Sequence, residues 1–580
     1  MTEPAADHPA RWGARIVSPD RARFAIWAPD RDEIRLEIEG RAPIAMDRAQ
    51  GWFTVETDAV PGARYRFRLS DGLAVPDPAS RAQAGDVHGW SLLVDPDAYV
   101  WQCPDWRGRP WHEAVIYEAH VGVAGGFLAL ADQLPALTEL GVTAIEIMPV
   151  AAFPGTRNWG YDGVLPYAPA SAYGSPDDLK ALVDRAHQCG LMIFLDVVYN
   201  HFGPDGNYLP AYARDFFHPE VYTPWGAAIA FDRAEVADFF IGNARMWIEE
   251  YRFDGLRFDA AHAIGDTDFL DRMAREIRAG AGGRFVHLIL ENEANDADRL
   301  GEGRFDAQWN DDFHNVLHVL LTGEAESYYR DFADKPAERL VRCLGEGFIY
   351  QGEGSPNHDG KPRGTPSGHL APTAFVSFLQ NHDQVGNRAM GERLLQLVTP
   401  ARLKAATALL LLSPQIPLLF MGEEDGSDSP FLFFTDFHDE LADAVREGRR
   451  KEFAGHAAFS DPDRRAAIPD PNAPDTFHRS RPQPRPEREA WRAFYRDLLG
   501  LRRDEIVPRL PGAAPIGARA IGDKAVMARW TMGDGAELCL ALNLGEEPVA
   551  IAAPSGTPFF ALGEGPAGTL APGSLQAWLG

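Results

Sequence analysis

The chain is short of several features, and each shortage closes off a class of function. It has 4 cysteines in 580 residues, Cys103, Cys189, Cys343 and Cys539, widely scattered and without metal-like spacing. They read as reduced thiols in a reducing compartment rather than a disulfide framework. No apolar run approaches the ~18 residues of a membrane span. Residues 1–15 carry Pro, Asp, His and Arg but no apolar stretch, so an ordinary secretory signal is not expected. Cytoplasm is the default location. Basic residues are the minority, 56 Lys and Arg against 84 Asp and Glu, for a net charge of −28. A surface of that sign repels phosphates, so nucleic acid is not an expected partner. Internal repeats and long low-complexity tracts are absent; only the Pro/Arg-rich connector at 480–486 is biased.

What is present is ordinary globular material, 45% hydrophobic and 24% charged, in a length that suits two or three domains. Residues 1–105 read as an N-terminal β-sandwich, immunoglobulin-like and similar in form to a carbohydrate-binding module. Polar and apolar residues alternate there at 23–27, 35–39, 52–56 and 65–69. Sugar binding and simple packing are both open for it. From 106 to 504 the rhythm is strand then helix. Strands are expected at 114–117, 144–148, 192–198, 255–258, 285–290, 347–350, 374–379 and 417–421. Helices are expected at 129–140, at 178–188 with Gly190 as its stop, and at 235–251. Eight such units predict an α/β fold with a closed (β/α)8 TIM barrel, and the first strand lacks the Gly-rich fingerprint of a dinucleotide-binding open sheet. The stretch 201–232, rich in Pro, Gly, Tyr and Phe, is expected to form a loop or small subdomain over the barrel mouth. Residues 505–580 read as a C-terminal antiparallel β-domain.

Four of the apolar runs stop at clusters of carboxylates and histidines. The first ends in Asp196-Val-Val-Tyr199-Asn200-His201 and the second in Arg257-Phe-Asp259-Ala-Ala-His262. The third ends in Glu291-Asn-Glu293, and the fourth in Asn381-His382-Asp383-Gln384 with Asn387 close behind. Parallel strands would bring these ends to one face, where Asp259, Glu291 and Asp383 converge. Converging carboxylates are what cleavage of a glycosidic bond needs. Arg257 and Asp259, two apart on a strand, point to the same side. The guanidinium should keep Asp259 ionised and ready to attack an anomeric carbon. Glu291 ends a strongly apolar run, which should raise its pKa and suit it to general-acid work, with Glu293 as the rival two residues further out.

Asp383 is placed to hold the 2- and 3-hydroxyls of the reacting sugar. His201 and His382 could bond hydroxyls or be buried structural histidines. Tyr161, in the Gly-bounded loop 158–163, offers a ring on which a sugar can stack. Taken singly, each group has a plain structural alternative: a rim ion pair, a helix-start acid, a polar turn. Their joint presence favours chemistry. Asn200 lacks the dense acidic loop of a calcium site, so neither a metal nor a cofactor is expected.

These motifs resemble the α-amylase clan of glycoside hydrolases, with all four of its signature regions in order and likeness over nearly the whole chain. By motif match Asp259 takes the nucleophile position, Glu291 the acid/base and Asp383 the transition-state stabiliser. Arg257, His201 and His382 fit supporting positions. Within the clan, segments 146–155, 158–164, 207–210, 306–315, 420–424 and 468–480 are similar to the maltooligosyltrehalose trehalohydrolase family. The resemblance implies a retaining hydrolase that cuts the α-1,4 bond next to the terminal trehalose of maltooligosyl trehalose. A maltooligosyltrehalose synthase would act before it. Tyr161, Asp196, His201, Arg257, His262, His382, Gln384 and Asn387 are expected to line the substrate. Asp311, Asp312 and His314 are candidates for the trehalose end, with Asp312 and His314 preferred.

The rival within the clan is a glycogen branching or debranching enzyme; the rival outside enzymology is a non-catalytic carbohydrate-binding scaffold. Three positions depart from the family pattern. The loop 121–127 is short, Asp425 follows Glu424 where an aromatic is usual, and Leu290 precedes the acid/base where a small residue is common.

Overall fold

A computed structural model describes residues 12–580 apart from 456, 553, 564 and 567, so most of the polar stretch 1–15 lies outside the described residues. The N-terminal region forms two antiparallel sheets. One runs in the order Arg15–Ser18, Arg21–Trp27, Trp52–Asp58, Asp47–Ala49; the other in the order Ile44–Ala45, Ile34–Ile38, Arg64–Leu69, Ala74–Val75. Alternation sets which side of each strand is buried. Ile34, Leu36 and Ile38 are buried, while Glu37 between them pairs with Arg66 and Arg68 at 2.7 Å. Arg81 reaches Glu250 at 2.6 Å, and the Trp12 ring meets Phe239 at 4.8 Å. These contacts seat the sheets against the next region.

That region is a closed parallel barrel of β1 (Ile116–Ala119), β2 (Ala144–Ile147), β3 (Met192–Val197), β4 (Gly255–Phe258), β5 (His287–Leu290), β6 (Ala307–Trp309), β7 (Phe375–Phe378) and β8 (Ile416–Phe420). Barrel strands are covered on both faces, which is why they read as continuous apolar runs instead of alternating ones. Ile116, Ala144, Phe194, Ile289, Trp309, Phe378 and Leu418 share one buried cluster that fills the barrel. The helices that concern the site and its supports are α1 (Pro176–Gln188), α2 (Ala234–Glu249), α3 (Thr267–Gly280), α4 (Asp311–Thr322), α5 (Pro400–Leu412) and α6 (Arg488–Leu501). Ser175 caps α1 through a reciprocal bond pair with Asp178, and Gly190 beyond its end takes φ 72°.

Two expectations are corrected here. The sixth strand is not 347–350 but Ala307–Trp309, hydrogen-bonded between β5 and β7. At three residues with Gln308 in the middle, it makes no apolar run. The segment 347–350 carries no strand pairing and is held by side chains described below. The single helix expected at 129–140 is two, Phe127–Ala131 and Leu134–Leu140, the second opening with a proline in its first turn.

Between β3 and α2 lie two short 3-10 turns and a hairpin, Phe217–Thr223 with Gly226–Ile229. The C-terminal region is a five-stranded antiparallel sheet in the order Ala514–Gly522, Ala525–Thr531, Glu537–Asn543, Ser574–Leu579, Phe560–Leu562. Buried Arg502, just beyond α6, donates to the carbonyls of Leu411, Ser413 and Gln415 at 2.9, 2.7 and 2.6 Å, which fixes the approach to β8. All four cysteines are free thiols. Among the described residues no helix is long and apolar enough to cross a membrane.

Candidate active site

Every carboxylate singled out at a strand end lies on the carboxyl rim of the barrel, and three of them touch one guanidinium. Arg257, fully buried on β4, donates from Nη1 to Asp196 at 2.6 Å and to Asp259 at 3.0 Å, and from Nη2 to Glu291 at 2.8 Å. Its flat face lies 4.1 Å over the Trp309 ring of β6. Adjacent parallel strands in register explain the convergence. Asp196 stands opposite Arg257 across β3 and β4, and Glu291 follows Leu290, which stands opposite Phe258.

The exit of β4 is shaped to hold the exit of β5. Ala260, directly after Asp259, adopts a left-handed conformation with φ 40°, which costs a non-glycine residue roughly 1–2 kcal/mol. In that conformation its N–H donates to Glu291 Oε2 at 2.9 Å, while the N–H of Ala261 reaches the Glu291 carbonyl at 2.8 Å. Both bonds to the Glu291 side chain fall on Oε2; among the described residues Oε1 takes none. Asn200 Nδ2 donates to Asp259 Oδ2 at 3.3 Å.

The charge distribution differs from the one expected. Burial, reinforced by the charge of Glu291, pushes Asp259 well above the usual carboxylate range in spite of Arg257. Burial also works against charge on Glu291, but Arg257 and the Ala260 N–H outweigh it and hold Glu291 below its usual range. This is the reverse of the order expected from sequence, because Arg257 bonds both acids and not Asp259 alone.

Asp383 is the second residue of the short helical turn His382–Gly386 after β7. Its Oδ1 lies 3.5 Å from His382 Nε2 and accepts from Asn387 Nδ2 at 3.0 Å. On its other side His382 is held by Glu118 of β1, which also accepts its backbone N–H at 3.0 Å. Burial opposes charge on this imidazole, but Asp383 and Glu118 prevail and raise it to about 9. Tyr161 stacks on the His382 ring at 5.0 Å, and its hydroxyl donates to Asp196 at 2.6 Å. Gly160 makes this loop possible: it has φ 107°, and a β-carbon there would fall 2.2 Å from the Pro149 carbonyl oxygen.

The remaining expected substrate residues divide into two groups. His201 lies in the cleft wall, with Nε2 donating to the Tyr161 carbonyl at 2.9 Å, Nδ1 2.8 Å from Asn200 Oδ1, and its ring stacked on Trp225. Burial lowers its pKa to about 4. As a neutral ring it donates from Nε2 alone, and that bond steadies Tyr161. Asn387 likewise steadies Asp383, and Gln384 donates to Asp311 at 3.3 Å. His262 is exposed at the rim, where Nδ1 accepts the Glu293 N–H at 3.3 Å. Glu293, the rival acid, is half exposed.

Asp312 and His314 are corrected outright. Asp312 is fully buried away from the cleft, accepting from Asn295 Nδ2 at 3.0 Å and the Ile349 N–H at 2.7 Å, and paired with Arg363 at 3.2 Å. It is the clamp that holds 347–350 in place of a strand. His314 is buried too, with Nδ1 on the Leu379 carbonyl. About 100° of helical rotation separates Asp311 from Asp312, and of the three only Asp311 is not fully buried. Burial, with Glu291 and Asp383 next in effect, raises its carboxyl to about 8.

Glu118 and Glu146 were not singled out from sequence. They lie inside apolar strands β1 and β2, and only the closed barrel brings them beneath the acids. The departure at Asp425 is compensated: it accepts from Arg488 at 3.0 Å and Arg492 at 2.5 Å, tying the end of β8 to α6. Among the described residues no group of His, Cys, Asp and Glu is arranged to hold a metal ion.

Comparison with known proteins agrees with this geometry. The α-amylase catalytic domain family matches residues 117–225, and DUF3459, a domain of unknown function, matches 516–578. The chain is 42% identical to malto-oligosyltrehalose trehalohydrolase of Deinococcus radiodurans, covering 91% of this chain and 88% of the relative. It is 40% identical to that of Saccharolobus solfataricus, covering 84% and 86%. A crystal structure of a Salmonella typhimurium protein, described provisionally as an α-amylase, superposes with a TM-score of 0.93 at 47% identity over 98% of this chain and 99% of the other.

Proposed function

Since the chain belongs to the malto-oligosyltrehalose trehalohydrolase family of the α-amylase clan, it is a glycoside hydrolase that releases trehalose, and we propose that it cuts the α-1,4 bond beside the terminal trehalose with retention, through Asp259, Glu291 and Asp383. The supporting observation is the shared guanidinium. Asp259 and Glu291 each bond one of its two terminal nitrogens, which supports the closer spacing of a retaining enzyme, about 5–5.5 Å between carboxyls, over the wider one of an inverting enzyme.

In this reading the two acids carry one proton between them. Because Arg257 bonds both, moving that proton from Asp259 to Glu291 leaves each carboxyl with a cationic partner. Glu291 Oε1, which takes no bond from the described residues, then gives the proton to the glycosidic oxygen as Asp259 attacks the anomeric carbon. In the second step Glu291 takes a proton from water, which displaces Asp259 and restores the anomeric configuration. Asp383, fixed by His382 and Asn387, holds the hydroxyls of the reacting ring, and Tyr161 lies under it.

Free thiols and the absence of any membrane-crossing helix among the described residues support a cytoplasmic enzyme. It would follow a synthase that makes the α,α-1,1 linkage. The test is to incubate the protein with trehalose-capped maltopentaose and follow the products by NMR. Free trehalose with a shortened oligosaccharide born as the α-anomer is expected. A β-anomer rejects retention, and new or lost α-1,6 branches from glycogen point to the rival activity.

A further inference from the structure

Glu118 spends both of its carboxyl oxygens on a single residue, His382. It projects into the barrel interior from β1, since Ile116, two residues earlier and so on the same side, belongs to the cluster that fills the barrel. At 1% exposure it is out of reach of any sugar. Its Oε2 accepts the His382 backbone N–H at 3.0 Å, and its Oε1 accepts from ring Nδ1. The opposite ring nitrogen, Nε2, stands 3.5 Å from Asp383 Oδ1. Aromatic rings enclose the imidazole: Tyr161 stacks on it at 5.0 Å, Trp159 meets it edge-on at 5.6 Å, and Trp309 lies at 5.9 Å. That packing fixes the plane of the ring but not which edge faces Asp383. The paired bonds to Glu118 fix the edge.

We propose that Glu118 is a positioning residue for the reaction: its two-point grip on His382 aims Nε2–H at Asp383 and so sets the carboxyl that meets the hydroxyls of the attacked sugar. The inference rests on the role given to Asp383 in the functional reading above. Carboxylate oxygens only accept, so a ring between two of them donates from both nitrogens and carries a positive charge. A pKa raised to about 9 agrees with that. Other titratable and charged groups also act on the ring. They are Glu146 of β2, Asp196 of β3, Arg257 of β4, Glu291 after β5 and His120 after β1. Among the described residues only Glu118 bonds Nδ1. Without it the second donor would lack an acceptor and the ring would give up its charge. The bond to Asp383 would then weaken, because a charge-assisted bond is about twice as strong as a neutral one.

The test measures kcat, KM and the charge of His382 in Glu118→Gln and Glu118→Ala. Glutamine keeps the shape. Its amide oxygen can accept the backbone N–H while its NH2 donates to Nδ1, which leaves a neutral ring with its proton on Nε2. Turnover should fall about 3- to 10-fold as the charge assistance is lost. Alanine removes the grip, and kcat should fall about 10- to 100-fold, the scale of one buried polar contact left unmade. KM should stay within about threefold of the parent, as for an interaction that strengthens in the transition state. The losses should be equal on trehalose-capped maltopentaose and on α-maltotriosyl fluoride, because both carry the attacked sugar whose hydroxyls Asp383 holds. Nitrogen NMR of isotope-labelled histidines reads the charge, with His382 assigned from the signal missing in His382→Gln. At about pH 8, above the ordinary histidine value of ~6.5 and below the 9 of this ring, the parent ring should be doubly protonated and the Glu118→Gln ring neutral. A parent-like kcat in either folded variant, a loss that falls on KM instead, or a neutral His382 in the parent would each overturn the proposal. Should Glu118→Ala not fold, Glu118→Gln decides alone. A parent that hydrolyses the fluoride but releases no trehalose sinks the functional reading, and Glu118 is then judged on the fluoride. A parent that releases trehalose while both variants keep its turnover sinks only the inference.

Discussion

Strand β4 carries an aspartate at each end, and the two have opposite fates. Asp254, just before the strand, is fully buried, and every partner it meets is a donor: Trp106 Nε1 at 2.8 Å, the Ile193 N–H at 3.0 Å and His187 Nε2 at 3.0 Å. Asp259, just after it, shares one arginine with two other carboxyls and is pushed toward its neutral form. A buried carboxylate surrounded by donors is a joint in the scaffold. One crowded against its own kind stores the electrostatic tension that chemistry can use. The same contrast separates Asp312 from Asp311, one residue apart on α4.

Substitutions at these acids test the contrast directly. Asp259→Asn should lower turnover about 10⁴-fold or more yet melt at or above the parent, since it relieves repulsion. A destabilised Asp259→Asn would deny the tension. Glu291→Gln should lose about 10²–10⁴-fold on capped substrate and less on maltotriosyl fluoride, whose leaving group needs no proton; equal losses on the two would remove its acid role. Asp254→Asn should do the reverse, costing about 3 kcal/mol of stability with kcat unchanged in the folded fraction. Asp312→Asn should follow it, with about 1–3 kcal/mol lost and capped and fluoride substrates affected alike.

The smallest effect concerns pH. His382 has its pKa raised to about 9 in the fold, against about 6.5 unfolded. The stability it contributes is complete below pH 6.5 and is lost as pH rises through 9. The difference in melting temperature between the parent and His382→Gln should therefore shrink over that window; a constant difference would mean the imidazole is not charged in the cleft.

Much of this could be read from the chain before folding. β3, β4, β5 and β7 announced themselves because barrel strands are apolar throughout, and their polar ends stood out by contrast. β6 did not, because three residues around Gln308 give no such contrast. Asp312 and His314 misled because polarity after a strand signals a rim without saying which way each side chain turns. Asp311 and Asp312 are equivalent in sequence and differ by about a third of a helical turn in space. The pKa order of Asp259 and Glu291 was out of reach for a related reason: it depends on how one guanidinium divides its bonds among residues 196, 259 and 291.

The chain alone therefore determined the barrel, the acids at its rim and the family to which it belongs, because these follow from hydrophobic patterning and local motifs. Tertiary structure alone decided which acids face each other, which are spent on the scaffold and where the proton rests. Those outcomes depend on distances of a few ångströms between strands far apart in sequence, and on the loss of water around them, and neither is encoded in any short segment.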